Sequence, residues 1–412
     1  VPVSLKCILC GREYPAEYRL TCDACGPSEG ILDAVYDYDL ARRTLNRESL
    51  AGRAQNHWRY REVLPVGGEQ ELPTLHVGWT PVYDAGRLAR HLGVSRLLVK
   101  DDGRNPTASF KDRASSVGVV KAVEFGFDTV ACASTGNAAS SLAGFAANAG
   151  LRSIIFVPER APEPKVAQLL LFGATVLRVR GTYDQAYDLC SEAVAKYGWY
   201  NRNCAINCYL VEGKKTAGLE IGEQCGDGIP DWVAVSVGDG CTIAGVWKGL
   251  KEMHALGILP RLPRVLGVQA DGSPAVAKQF AAEGEPALKP ADAATVADSI
   301  CVAVPRNWRK AVRAVRESGG TYVTVSDEAI LDALRYTPKL TGVFGEPAGV
   351  AAVAGVAAAR RDGVIGARES VLAMITGNGL KDIRTASGVA GKPHDIAPTL
   401  EAVGEVIGHR AD

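Results

Sequence analysis

Lys111 stands inside NPTASFKDRASS, the stretch from Asn105 to Ser116, where a run rich in small residues begins. A surface lysine needs no such company. An amine that is to bond covalently to a carbonyl does, because it is nucleophilic only when unprotonated, and a desolvated position at a helix N-terminus favours that form. Three further clusters carry polar side chains on glycine-bearing turns. ASTGNAASS places Ser134, Thr135, Gly136 and Asn137 after one apolar run; VGDGCT places Gly238, Asp239, Gly240, Cys241 and Thr242 after another; TGNG begins at Thr376 after a third. Turns of this type aim backbone N–H groups at a ligand, and a following helix adds positive potential, so phosphate or carboxylate is the natural occupant. One such turn only closes a connection, and Ser, Thr and Asn are good caps in any case. Three in one chain point to a ligand.

The opening CILCGREYPAEYRLTCDACG holds two Cys-x-x-Cys pairs, Cys7 with Cys10 and Cys22 with Cys25, eleven residues apart and each followed by glycine. Four thiolates on two knuckles suit a tetrahedral zinc site, structural in kind because no coordination position is left for a substrate. The remaining cysteines (Cys132, Cys190, Cys204, Cys208, Cys225, Cys241, Cys301) are scattered, as free buried thiols of a reducing cytoplasm would be. His57, His76, His91, His254, His394 and His409 share no ligand spacing, which argues against a catalytic metal. Trp247 and Trp308 read as core.

The elements that must position these groups follow from the pattern. From about residue 95, SRLLVK, TVACAS, RSIIFVP, ATVLRVR, DWVAVSVG, RVLGVQ and SVLAMI alternate with helical runs, two of them ended by Gly126 and Gly150. Strands of Val, Ile and Ala between helices predict an α/β fold of parallel-rich sheets flanked by helices. Residues 31–80 read as an extended arm. A chain of 412 residues implies two or three domains. Formal net charge is zero and basic runs are absent, so neither a nucleic acid nor a membrane surface is an expected partner. No apolar stretch is long enough to span a bilayer and no signal-peptide pattern opens the chain; the expected compartment is the cytoplasm.

The order of the clusters carries more than any one of them. Lysine at a helix start, STGN, a glycine loop and a late strand ending in Thr-Gly resemble the fold-type II pyridoxal-phosphate enzymes, the tryptophan synthase β family, and most closely its threonine synthase-like members. Their lysine motif reads NPT-G-SFKDRG against NPTASFKDRA here, and their second motif ASTGN-TSAS against ASTGNAASS. PKVAQLLLFGA, VEGKKTAGLEIGEQ, SDEAI, FGEPAGVAAVAG and TGNGLKD follow in the family's order, so the resemblance spans about residues 75–385.

The resemblance implies a two-domain fold-type II enzyme: a zinc-ribbon-like module over 1–30, a large cofactor-binding domain over 31–107 and 205–412, and a small mobile substrate domain over 108–204. Pyridoxal 5'-phosphate is then the cofactor. Lys111 would bond to its aldehyde, Asn137 would hydrogen-bond its phenolic oxygen, Gly238 to Thr242 would cradle its phosphate, and Thr376 would face the pyridine nitrogen. Ser134, Thr135 and Gly136 would hold the substrate's α-carboxylate. Arg113 would hold the phosphate of a small phosphorylated amino acid, with Lys165, Lys214 and Arg104 as further cations. The implied activity is conversion of O-phosphohomoserine and water to threonine and phosphate, by a homodimer. The alternatives are cysteate synthase-like replacement on O-phosphoserine with sulfite, a threonine or serine dehydratase, and a non-catalytic binding protein. Four departures stand out. Ala108 and Ala114 replace glycines, Ala138 stands where the family has a hydroxyl, and Asp239 and Cys241 occupy a loop that is GNAGN-like in the family. An aspartate beside a phosphate must point away or accept a backbone N–H. Asp112 is expected to pair with a cation, and Glu346 to shape the ring's environment or cap its helix.

Overall fold

The structure is a computed structural model that describes residues 2–408 other than 69, 162, 285, 286 and 289–291; His409 lies outside the described residues. Its strands build three sheets. The largest runs β12-β11-β10-β13-β5-β4, from β4 (Val82–Asp84), β5 (Arg96–Asp101), β10 (Trp232–Ser236), β11 (Arg264–Ala270), β12 (Thr321–Val325) and β13 (Ser370–Ile375). All its pairings are parallel except β4 with β5. Ala234 of the central β10 sits opposite Leu266 on one side and Ala373 on the other. Every residue of β10 is buried, as strands covered on both faces must be.

The second sheet, β8-β7-β6-β9, is wholly parallel. It uses β6 (Thr129–Ala133), β7 (Arg152–Pro158), β8 (Thr175–Val179) and the two-residue β9 (Tyr200–Asn201). The third is antiparallel and carries the cysteine knuckles: β1 (Ser4–Cys7) between β2 (Glu13–Tyr14) and β3 (Leu32–Val35). Its third strand lies beyond residue 30, where the sequence placed the module's end.

Six helices position the site: α1 (Lys111–Glu124), α2 (Asn137–Asn148), α3 (Cys208–Cys225), α4 (Cys241–Ala255), α5 (Trp308–Glu317) and α6 (Pro347–Arg361). α3 packs between α1 and α4 at a distance only glycine allows. A Cβ on Gly213 would lie 2.0 Å from the Arg113 carbonyl oxygen, and one on Gly249 would lie 2.2 Å from that of Lys215. The helix that carries Lys111 is thereby fixed against the helix that starts at the VGDGCT turn.

Residues 38–66 are not an extended arm. They form two short helices (Tyr38–Arg42, Arg47–Ala51) and a 3-10 segment (His57–Val63). Leu45, Leu50, Tyr60, Val63 and Leu64 join the same core as Leu219, Ile221 and Val233. Their irregular spacing gives no helical or strand period, yet every one of them is buried. Trp247 and Trp308 also lie in this core. No helix among the described residues is long and apolar enough to cross a membrane.

Candidate active site

Lys111 is the first residue of α1, and the loop before it is fastened to two others. The Phe110 N–H donates to the Thr376 carbonyl at 2.8 Å, the Asn378 N–H to Ala108 O at 3.0 Å, and the Glu346 N–H to Gly377 O at 2.9 Å. Residues 108–110, the start of α6 and the exit of β13 are thus zipped together, which puts Lys111, Glu346 and Thr376 on one cavity. Ala108 has φ +64°, the left-handed region where Cβ crowds the carbonyl oxygen. The turn itself therefore asks for glycine, whatever the substrate. Asp112 does not pair with a cation as expected. It takes the Thr107 N–H at 2.6 Å and the Thr107 hydroxyl, pinning the turn from within the helix it opens.

The cavity measures about 750 Å³, within the usual range for small-molecule sites. Lys111, Ser134 to Asn137, Gly238 to Thr242, Glu346 and Thr376 all line it. Both α2 and α4 begin on its wall, and neither start is capped by a side chain. Their first N–H groups have no intrahelical acceptor and carry the positive end of the helix dipole. At α4 the turn needs glycine: Gly240 has φ +93°, and a Cβ there would lie 2.8 Å from that of Ala311. Asp239 is turned aside. Its carboxylate accepts the Arg306 N–H at 2.7 Å and its carbonyl that of Asn307 at 3.1 Å.

Electrostatics sort the ionisable groups. Burial pushes the Lys111 amine down to about 8, and the positive charges of Lys214 and Arg202 act in the same direction. No carboxylate pairs with it among the described residues. Burial pushes Glu346 up to about 7, against the pull of Lys111 and of the Asn137 amide, which donates to it at 2.8 Å.

Arg113, expected at the substrate's phosphate, is elsewhere. Its side chain is fully buried and does not line the cavity. Nε and Nη2 donate to Asp102 at 2.6 and 3.0 Å, Nη1 and Nη2 to Glu220, and the same two nitrogens also reach Thr216 and Thr80. Lys100 completes the cluster on Glu220 at 2.9 Å. A guanidinium so engaged has no donor left for an anion. Arg104 is exposed and also absent from the cavity, whereas Lys165 and Lys214 line it together with Arg160, Arg202 and Arg306. The last three carry no motif of their own. Arg202 could have been found only through its place shortly before VEGKKTAGLE.

The donor set fits pyridoxal 5'-phosphate. The lysine makes no ion pair among the described residues, and two uncapped helix starts suit two anions. Two buried donors on the wall, Ser236 Oγ and Arg202 Nε, have no partner among the described residues.

In the cysteine module, Cys7 Sγ lies 3.9 Å from Cys25 Sγ and Cys10 Sγ 3.7 Å from Cys22 Sγ. All four sulfurs fall within 4.8 Å of one another. These separations are far too long for disulfides and close to the roughly 3.8 Å edge of a tetrahedron with metal–sulfur bonds of about 2.3 Å.

Comparison with known proteins agrees with this geometry. The family model described as "Pyridoxal-phosphate dependent enzyme" matches residues 73–377. The chain is 41% identical over 406 residues to the threonine synthase of Methanosarcina acetivorans, and 36% identical over 404 residues to that of Methanocaldococcus jannaschii; each match covers 98% of both chains. Among solved structures, the processed form of threonine deaminase isoform 2 from Solanum lycopersicum superposes with a TM-score of 0.65 at 23% identity, over 76% of this chain and 88% of that one. That likeness shows the α/β fold.

Proposed function

We propose that this chain, which belongs to the pyridoxal-phosphate dependent enzymes and within them to the threonine synthases, converts O-phosphohomoserine and water to threonine and phosphate. The observation that carries the reading is the pairing of a buried Lys111 amine, held in no ion pair among the described residues, with two uncapped helix starts on one cavity. When bound, pyridoxal 5'-phosphate supplies an aldehyde that takes up amines and a ring that withdraws electron density from the neighbouring carbons.

The chain's own residues do the rest. Lys111 is the group that would bond to the cofactor and, once freed by substrate, take the proton from Cα, pass it on and, neutral again, take one from Cβ, with protons returned to Cγ and Cα as the product forms. A single amine serves both because the cavity holds both carbons beside it. The start of α4, with Gly238 to Thr242, holds the cofactor's phosphate. The start of α2, with Ser134, Thr135 and Gly136, holds the substrate's α-carboxylate. Asn137 and Thr376 present an amide and a hydroxyl to the ring. Lys165, Arg160 and Arg202 take over the part expected of Arg113, stabilising the phosphate that leaves Cγ before water adds at Cβ. We also take Cys7, Cys10, Cys22 and Cys25 to hold one structural zinc ion; metal analysis of freshly purified protein should return one zinc per chain, and sub-stoichiometric metal would contradict it.

The activity is tested by phosphate release from O-phosphohomoserine and from O-phosphoserine, each with and without sulfite, with product identification. Threonine from the first substrate is the expected result. Release from O-phosphoserine alone would overturn the assignment in favour of β-replacement.

A further inference from the structure

The cysteine module grips the molecule on two sides. On the first, Asp33 accepts from Lys248 and Lys310, each at 3.0 Å, and Lys310 also donates to Leu32 O at 2.7 Å. Arg309 meets Glu29 at 2.6 Å. These contacts fasten the module to α4 and α5.

On the second side, the loop between the two knuckles carries Tyr18 to the edge of the second sheet. Its ring centre lies 4.8 Å from that of Phe127 and 5.2 Å from that of Tyr200. Its hydroxyl oxygen accepts the Asn201 N–H at 3.0 Å, and the Tyr209 hydroxyl donates to Glu17 O at 2.8 Å. Residues 200–209 are thus bracketed by Glu17 and Tyr18.

That segment leads straight to the cavity. β9 ends at Asn201, and Arg202, Asn203, Cys204 and Ala205 follow as cavity lining. Asn201 is the pivot: its side-chain oxygen accepts the Asn203 N–H at 2.8 Å, and its carbonyl accepts the Asn207 amide at 2.9 Å. β9 is two residues long and pairs only with β6 among the described strands. So short an edge strand has little of its own to fix its register. The Arg202 N–H carries the pairing one bond further, to Ala131 O at 3.0 Å, and the module adds a restraint from outside the sheet.

We propose that the cysteine module is a positioning element of the active site, with Tyr18 holding residues 200–204 so that Arg202 and Asn203 face the phosphorylated substrate. The inference rests on the proposed function only for what occupies the cavity. Tyr18 touches neither cofactor nor substrate and is a positioning residue, not a catalytic one.

The test compares the full-length holoenzyme with Tyr18→Phe, which keeps the ring and loses the acceptor, and Tyr18→Leu, which loses both. Hydrogen–deuterium exchange and steady-state kinetics are read on each. Loss of one buried hydrogen bond should speed exchange over 200–204 by about tenfold in Tyr18→Phe, and further in Tyr18→Leu, with the strands of the large sheet unchanged. KM for the phosphorylated substrate should rise about tenfold while kcat stays within about twofold. Unchanged exchange over 200–204, an acceleration spread evenly over the chain, or an unchanged KM would each overturn the proposal. If Tyr18→Leu does not fold, Tyr18→Phe decides. The exchange measurement is independent of which substrate turns over, so failure of O-phosphohomoserine to react would sink the functional assignment and leave this test standing.

Discussion

Lys111 and Arg113 are two residues apart on one helix, both cationic side chains withdrawn from bulk water, and their surroundings are opposite. Arg113 meets two carboxylates, Asp102 and Glu220, in a fully buried cluster. Lys111 meets two further cations, Lys214 and Arg202, on a cavity wall. Desolvation disfavours charge in both places. Where anions answer it, the result is a fixed internal bolt; where cations reinforce it, the result is an amine that gives up its proton more readily than an ordinary lysine. The lowered value makes about one Lys111 in ten neutral at pH 7, roughly 300 times the fraction for an ordinary lysine.

Substitutions tell the two surroundings apart. Lys111→Ala should leave a folded protein that no longer shows the visible absorbance of a lysine-linked cofactor, with turnover down by about a thousandfold or more; residual turnover near the wild-type rate would refute its role. Arg113→Met should act on stability instead, costing about 3–5 kcal/mol in denaturant unfolding because Asp102 and Glu220 are left buried and unpaired. A well-folded Arg113→Met protein with only a raised KM would return Arg113 to the substrate's phosphate.

The pH dependence follows from Lys111. Its folded value lies near 8, below the ordinary 10.5. Capture of pyridoxal phosphate by the apoprotein should therefore climb about tenfold per pH unit up to about 8 and then level off. Between about 8 and 10.5 the unfolded chain still holds a proton that the folded chain has released, so Lys111 contributes a stability that rises with pH across that window. A capture rate that keeps climbing past pH 9 would show an unperturbed lysine. Glu346 pulls the other way, since its carboxylate favours the charged amine. Glu346→Gln should move the levelling point modestly down; an upward move would contradict the geometry. The smallest effect belongs to the loop. Ala108→Gly should relieve left-handed strain and stabilise by up to about 1 kcal/mol, measured by denaturant unfolding; a loss of stability would show that the strain is compensated.

Much of the site was legible in the sequence, because the groups on glycine turns are local. Lys111, Ser134 to Asn137, Gly238 to Thr242 and Thr376 are each announced by a turn, and the structure brings all of them to one cavity. Arg113 misled because its neighbours are distant in sequence: Glu220 lies more than a hundred residues away, and no spacing rule reveals a buried ion pair. α3 is hard to read in the sequence for a related reason. It buries Glu212, Lys215 and Glu220 as ion pairs, so it lacks the one-sided apolar stripe by which a helix is usually recognised. The 31–80 region failed because its core residues follow no period.

The most direct test is to reduce the holoenzyme with borohydride and map the modified lysine by peptide mass spectrometry. Lys165 and Lys214 line the same cavity, so the choice among three lysines is a real one. A pyridoxyl group on Lys111 alone is the predicted result. A label on Lys165 or Lys214, or no label at all, would contradict the assignment of Lys111 as the amine whose surroundings disfavour its charge.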